Sequence, residues 1–193
     1  RARIYAQMKD YTSALADFDR CLRMGWGQLP TGHGQAMTFK ERGDMNFDRG
    51  ERDAAISDYS RLIASGNYSE IYWKRGNAYL SKGDAQSALS DFAVTERMMR
   101  EKGETIGAGF YFQRGLANFA SKKWDETISD FTRSISLNPK EPAAYYNRAV
   151  AFQSKKDENS ALTDLSQAVT VDPTYKDAFF ERGKIYLGRE TYD

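Results

Sequence analysis

Cysteine and histidine are almost absent from this sequence, whose 193 residues include one of each, Cys21 and His33. A single cysteine excludes a disulfide within the chain, and one residue of each type excludes metal sites built from several cysteines or histidines. No apolar run approaches the roughly 18 residues that a membrane span needs, and we recognise no secretory leader. We therefore expect a soluble chain that binds no metal and does not insert into a membrane, with its compartment left open.

An excess of charge of either sign is missing too, since 28 Lys and Arg stand against 27 Asp and Glu. A net charge of +1 gives no overall field that would attract nucleic acid or an anionic membrane. Aromatic residues, by contrast, make up 13% of the chain, which is too many for a disordered protein. The composition indicates a globular protein that does not bind nucleic acid.

One dipeptide, arginine followed by glycine or alanine, recurs along the whole chain. Successive copies are 41, 33, 39, 34 and 34 residues apart, which indicates a 34-residue period with extra residues after the first and third copies. With the arginine numbered as repeat position 7, the units span approximately 1–24 (partial), 36–68, 69–107, 108–141, 142–175 and 176–193 (partial), and 25–35 is a loop. The copies are Arg1-Ala2, Arg42-Gly43, Arg75-Gly76, Arg114-Gly115, Arg148-Ala149 and Arg182-Gly183.

Each unit carries two apolar stripes with helical spacing. Repeat positions 4, 8 and 11 follow the i, i+4, i+7 spacing of one helical face, and positions 20, 24 and 27 repeat it on a second helix. Asp10, Asp84 and Asp157 lie between the two stripes and are predicted to cap the second helix. Glycine at position 8 predicts that the facing helix comes too close for a side chain, and the charged stretch 96–104 predicts a longer second helix in the third unit.

This pattern resembles the tetratricopeptide repeat over nearly the whole chain, including proline at position 32 in Pro139 and Pro173. The resemblance implies an all-α fold, a right-handed superhelical solenoid of antiparallel helix pairs forming a single repeat domain over 1–193, with a concave face that binds ligands. The sequence departs from the family at position 11, where Asn46 and Asn118 stand in place of an aromatic residue.

The residue pattern gives no indication of a catalytic site. Cys21 occupies position 27, which is a helix-packing position, and His33 stands in a glycine-rich segment without a carboxylate or cysteine at metal-ligand spacing. The glycines of that segment are not followed by the Lys-Ser or Lys-Thr of a phosphate-binding loop. We expect no enzyme activity and no cofactor.

An aspartate at position 23 accompanies the arginine at position 7 in every unit that is long enough to hold both. The arginines could form an anion-binding row, but a partner that is always present favours a structural ion pair between helices. The pairs are Arg1/Asp17, Arg42/Asp58, Arg75/Asp91, Arg114/Asp130 and Arg148/Asp164.

A second aromatic residue follows the packing aromatic at position 5 of four units. Adjacent residues of a helix point about 100° apart, so this second ring serves a different face. The family resemblance places that face on the concave surface, and the alternative is lateral packing between neighbouring first helices. The residues predicted to bind a partner are Trp73, Asn77, Phe112, Leu116, Phe119, Tyr146, Val150 and Phe180.

The repeat pattern and the second aromatic together favour a non-enzymatic protein-protein interaction scaffold that binds a peptide or a partner helix. The family's carboxylate clamp is absent, because Lys40 is followed by Asp44 and the later units carry aromatic residues at position 5. Two alternatives stay open: a structural module that self-associates into a homo-oligomer, and a regulatory repeat domain of a larger protein.

Overall fold

The computed structural model describes residues 10–24, 33–66 and 68–190, and every regular element in those ranges is an α-helix. The helices are α1 (Tyr11–Arg23), α2 (His33–Asp48), α3 (Arg52–Ser65), α4 (Ser69–Lys82), α5 (Ala85–Glu101), α6 (Ala108–Ala120), α7 (Trp124–Leu137), α8 (Pro142–Ser154), α9 (Glu158–Val171) and α10 (Lys176–Glu190). The all-α class predicted from the repeat pattern is confirmed. None of the described helices has the length and apolar character that crossing a membrane requires.

The chain divides into two compact units, residues 1–98 and 99–193, which we call the N-terminal and C-terminal units. In the N-terminal unit, α1 packs on α2, α2 on α3, and α3 on α4. In the C-terminal unit, α6 pairs with α7, α7 packs on α8, α8 pairs with α9, and α10 follows on α9. Each unit is therefore a row of helices in which successive helices pack against each other.

The predicted N-terminal caps are present on α1, α5 and α9, which are the second helices of their repeats. The carboxylates of Asp10, Asp84 and Asp157 accept hydrogen bonds from the backbone N–H three residues ahead, at 3.2, 3.0 and 3.1 Å. These bonds satisfy an amide that the helix itself leaves without a partner. The bond from Ser160 also lowers the pKa of Asp157.

Two segments between the repeats differ in their structure. Helix α5 has 17 residues where α3, α7 and α9 have 14, so the charged stretch 96–104 does lengthen the second helix, as predicted. The predicted loop 25–35 lies mostly outside the described residues. Its last three residues form the first turn of α2, which begins at His33.

The glycine at repeat position 8 lies beneath an aromatic ring of the second helix. A Cβ atom built on Gly43 would stand 2.8 Å from Cε1 of Tyr59, and one on Gly76 would stand 2.8 Å from Cε1 of Phe92. On Gly115 it would stand 3.1 Å from Cε1 of Phe131. Real Cβ atoms essentially never approach carbon to 2.8 Å, so the rings of Tyr59 and Phe92 require glycine there, and at Gly115 the ring of Phe131 would have to shift by a few tenths of an ångström. We call this arrangement the glycine seat.

The repeat formed by α8 and α9 has different residues at these two positions. Ala149 replaces the glycine and Leu165 replaces the ring, and both side chains are fully buried. A smaller side chain on the second helix thus leaves room for a methyl group on the first. The two positions vary together because they fill one volume.

We expect Gly76→Ala to destabilise the protein by about 1–3 kcal/mol, because the new methyl group would push against the buried ring of Phe92. Gly183→Ala is the matched control. Nothing lies within 4 Å of a Cβ there, so the helix propensity of alanine should leave stability unchanged or raise it by up to about 1 kcal/mol. Urea unfolding of the two variants measures the difference.

The combination of Gly76→Ala with Phe92→Leu should cost less than the sum of the two single changes. The double variant recreates the alanine and leucine that α8 and α9 already use. Equal stability losses for Gly76→Ala and Gly183→Ala, or strictly additive losses in the double variant, would contradict the glycine seat.

Candidate functional site

The arginine of each complete described unit forms a two-pronged ion pair with its aspartate. Nε and Nη2 of Arg114 donate to the carboxylate of Asp130 at 2.9 and 2.6 Å. The aspartate side chain is 4% exposed and the arginine side chain 21%. The same pairing joins Arg42 to Asp58, Arg75 to Asp91 and Arg148 to Asp164. Arg1, the arginine predicted to pair with Asp17, lies outside the described residues.

The third nitrogen of the arginine reaches the second helix of the preceding repeat. Nη1 of Arg75 donates to Oγ of Ser60 at 3.0 Å, and Nη1 of Arg148 donates to Oγ1 of Thr132 at 2.9 Å. Nη1 of Arg42 pairs with the carboxylate of Asp19 in the same way. Each of these arginines thus joins three helices and has its donors committed inside the fold. This arrangement fits a structural role better than an anion-binding row.

Two asparagines extend the ion pairs, and sequence reasoning did not assign them this role. Nδ2 of Asn118 donates to Oδ2 of Asp130 at 2.9 Å, and Nδ2 of Asn46 donates to Oδ2 of Asp58 at 3.3 Å. Both asparagines are buried. Their position in the repeat could have indicated this role. Each asparagine stands where the family carries an aromatic residue, on the helical face that carries the arginine.

The polar residues of the first complete unit are paired with the next first helix. Nζ of Lys40 lies 3.1 Å from Oε1 of Glu70, and this contact raises the pKa of Lys40. Nζ of Lys74 donates to Oδ1 of Asp44 at 2.9 Å, and the hydroxyl of Tyr59 donates to the same oxygen at 2.8 Å. This part of the N-terminal unit is therefore a satisfied polar network rather than an apolar surface.

Trp73 and Asn77 stand one turn apart on α4, and both are partly exposed. Nε1 of Trp73 and Oδ1 of Asn77 are nevertheless buried atoms without a hydrogen-bond partner among the described residues. A buried donor and acceptor that lack partners are uncommon in folded proteins.

In the C-terminal unit, two of the rings at position 5, those of Phe112 and Tyr146, each contact another ring. Phe112 meets Phe131 edge-on with centroids 5.5 Å apart, and Tyr146 lies 5.6 Å from Tyr175. Burial raises the pKa of Tyr146. Phe119, seven residues after Phe112 on the same face of α6, packs edge-on against Trp124 with ring centroids 5.4 Å apart.

The remaining surface of these rings is open, and exposure is greatest on α10. Phe112, Leu116, Tyr146 and Val150 are partly exposed, whereas Phe180 is 68% exposed. A cleft of about 200 Å³ lies beside Phe112, between the start of α6 and the end of α7. We call Phe112, Leu116, Tyr146, Val150 and Phe180 the apolar row.

Metal-binding groups are absent from the described part of the chain. No cluster of three or more His, Cys, Asp or Glu side chains there has the arrangement to hold an ion. Cys21 lies partly buried on α1.

Family profiles for the tetratricopeptide repeat match this sequence. One profile matches residues 41–97, and a second matches residues 1–24 and 142–175. Together the matched segments account for more than half of the chain.

Curated relatives and solved structures agree with these matches. RNA polymerase II-associated protein 3 from Homo sapiens is 28% identical over 106 residues, which are 54% of this chain but 15% of the human protein. YrrB, described as a TPR protein with an unusual peptide-binding site, superposes with a TM-score of 0.78 at 17% identity, covering 94% of this chain and 88% of YrrB. MamA superposes with a TM-score of 0.70 at 24% identity, over 77% of this chain and 84% of MamA. The likeness to these two structures shows the fold alone.

We expect Arg114→Ala and Asp130→Ala each to cost about 3–5 kcal/mol of stability, because each leaves a largely buried charge without its partner. The double variant should lose less than the sum, since the contact can be lost only once. Urea denaturation of the four proteins in this cycle measures the coupling.

The exposed ion pair between Lys155 and Asp125 is the control, with side chains 43% and 80% exposed. Removing either of these residues should cost less than about 1 kcal/mol. Additive losses at Arg114 and Asp130, or single variants as mild as the controls, would show that the contact does not hold the helices together.

Proposed function

This chain belongs to the tetratricopeptide repeat family of protein-interaction modules, and from that premise we propose that it binds a peptide or a partner helix through the apolar row. Recognition would depend on burying apolar side chains, and the chain would act as a scaffold without catalysing a reaction. The observation that carries the proposal is the second aromatic side chain on the first helices of the C-terminal unit.

The second aromatic is not needed to hold a helix pair together. The preceding ring already fills that role, since Tyr111 and Tyr145 are 9% and 7% exposed. Phe112 and Tyr146 follow them directly and keep part of their surface in water. An aromatic ring that is exposed to water lacks the stabilisation that burial of its apolar surface provides. A bound partner that covered the ring would provide this stabilisation, which would favour binding.

The type of ligand follows from the character of the row. Aromatic side chains in grooves contribute much of the binding energy of protein interfaces. The apolar row holds three rings and two aliphatic side chains, so a ligand that offers apolar side chains at helical or extended spacing would fit it. Trp73 and Asn77, which the sequence also predicts to bind a partner, lie in the N-terminal unit beside a polar network that is already paired.

Packing between neighbouring helices is the alternative role for these rings, and two ring contacts support it. Phe112 already touches Phe131, and Tyr146 already touches Tyr175. A ring that only packs would affect stability when removed, whereas a ring that binds a partner would affect affinity. The two roles therefore differ in a measurable way.

Two of the similar proteins are described by what they bind or associate with. YrrB is described as having a peptide-binding site, and the human relative is described as associated with RNA polymerase II. This chain spans about 15% of that relative's length, so what we propose is an interaction role within an assembly, including that of a repeat domain in a larger protein.

Selection of a random peptide library displayed on phage against the immobilised protein tests the proposal. We expect the selected peptides to carry apolar side chains at recurring spacing and to bind with affinities that change little between low and moderate salt, because the row is uncharged. Selected peptides that are mainly acidic, with binding lost steeply as salt rises, would contradict an apolar binding surface.

We expect Phe112→Ala and Tyr146→Ala each to weaken binding of a selected peptide by about 2 kcal/mol or more, with little loss of stability. Isothermal titration calorimetry and thermal unfolding of the same samples measure the two effects. Leu137→Ala is the control, because Leu137 is an exposed apolar residue of α7 outside the row.

The opposite pattern would support lateral packing. In that case both variants would lose about 3–5 kcal/mol of stability and would bind weakly only because they unfold. Wild-type affinity in both variants would also refute the row as the binding surface.

A further inference from the structure

A cavity of about 290 Å³ lies between α6 and α7, beside the buried ion pair of Arg114 and Asp130. Asn118, Ser129 and Glu126 also line it. Its volume is several times the roughly 30 Å³ that one molecule of liquid water occupies, so it has room for part of a ligand. We call this space the α6–α7 cavity.

The residue at repeat position 11 accounts for this space. In the α4–α5 repeat that position holds Tyr79, and the Cζ atom of Arg75 lies 5.7 Å from the centroid of its ring. In the α6–α7 repeat the same position holds Asn118, a shorter side chain that turns to the carboxylate of Asp130. Position 11 therefore supplies a ring to Arg75 but none to Arg114.

A second cavity, of about 310 Å³, lies beside Arg42 in the N-terminal unit. Arg42 belongs to the other described repeat with asparagine at position 11. Four residues that line this cavity hold the same repeat positions as residues of the α6–α7 cavity: Arg42, Asn46, Ser57 and Asp58. The recurrence of the space with the asparagine, in two separate compact units, indicates that the exchange of a ring for an amide creates it.

The α6–α7 cavity offers hydrogen-bond acceptors that the fold does not use. Asn118 is 6% exposed and its Nδ2 donates to Asp130, but its carbonyl oxygen has no hydrogen bond to a described residue. The exposed hydroxyl of Ser129 and carboxylate of Glu126 likewise have no partner in the part of the chain that the structure describes. A ligand that presents a hydrogen-bond donor is therefore favoured there.

We propose that the α6–α7 cavity binds a phenol ring, the group that a tyrosine side chain carries. The ring would lie over the guanidinium of Arg114, as the ring of Tyr79 lies over Arg75, and attraction between a cation and an aromatic face would hold it there. Its hydroxyl would donate to a free acceptor of the cavity. A neutral ligand suits this site, since Arg114 repels a cation and Glu126 repels an anion.

The α6–α7 cavity is separate from the apolar row. Arg114 follows Phe112 by two residues and precedes Leu116 by two, and each residue turns the helix by about 100°. Arg114 thus lies on the side of α6 that is roughly opposite to both apolar residues. The inference therefore does not depend on the proposed function.

Titration of the isotope-labelled whole chain with N-acetyltyrosinamide tests the proposal. The Nε–Hε signals of the arginines in a nitrogen–proton NMR spectrum shift when an aromatic ring comes to lie over the guanidinium. We expect a saturable shift for Arg114 and for Arg42. The signals of Arg75 and Arg148 should stay unchanged, because their repeats already hold an aromatic residue at position 11.

Related probes identify the ligand more closely. The compound p-cresol carries the phenol ring without peptide groups. Equal affinity for it would point to a free phenol as the ligand, and weaker affinity to a tyrosine within a peptide. N-acetylphenylalaninamide should bind at least about threefold more weakly than the tyrosine derivative, because it has no hydroxyl to donate. N-acetyllysinamide should cause no saturable shift at Arg114.

Asn118→Tyr is the informative variant, because it restores at position 11 the residue that the α4–α5 repeat has. The shift at Arg114 should be lost, whereas the shift at Arg42 in the same protein should remain and would show that the chain is folded. Ser129→Leu is a second variant, because Ser129 is exposed and a larger side chain there narrows the cavity. We expect it to weaken binding at Arg114 by about fivefold or more.

Thr163→Leu is the matched control. Thr163 is an exposed residue at the same repeat position as Ser129, in a repeat whose position 11 holds Phe152, so its replacement should leave the shift at Arg114 unchanged. An unresponsive Arg114, equal shifts at all four arginines, or saturable binding of the lysine derivative would overturn the proposal. Wild-type binding by both Ser129→Leu and Asn118→Tyr would overturn it as well.

Discussion

The structure depends on a buried carboxylate that recurs once in each complete unit. Asp58, Asp91, Asp130 and Asp164 are between 1% and 4% exposed, and a carboxylate at that depth is tolerated only with a partner. Arginine supplies two parallel donors of matching geometry, and in Arg42, Arg75 and Arg148 a third donor reaches the preceding repeat. One side chain thereby sets the distance between the helices of a pair and also the contact with the neighbouring pair.

The close approach that this ion pair enforces explains the variation around it. Glycine stands where the residue after the aspartate is an aromatic ring, and alanine stands where that residue is Leu165. Asparagine replaces an aromatic residue in two units because an amide within reach of the carboxylate shares its charge. The change from glycine and a ring to alanine and leucine keeps the space between the helices filled, whereas the asparagines add a hydrogen bond to the carboxylate.

Much of this could be predicted from sequence, because the period keeps each residue type in register. The helix pairs, the caps at Asp84 and Asp157 and the lengthened α5 follow from spacing and local chemistry. The role of Asn118 could not be predicted, since it depends on which side chain faces it across the pair. The ring contacts of Phe112 and Tyr146 are likewise tertiary, because helical spacing gives the direction of a side chain but not what lies there.

The most direct test of this account is the rate at which arginine side-chain protons exchange with water, measured from the Nε–Hε signals in a nitrogen–proton NMR spectrum. Each paired arginine donates this proton to a buried aspartate, and Arg182 has no described carboxylate to receive it. The account predicts slow exchange for Arg42, Arg75, Arg114 and Arg148 and fast exchange for Arg182. Fast exchange at all five, or protection of Arg182 equal to that of the other four, would contradict it.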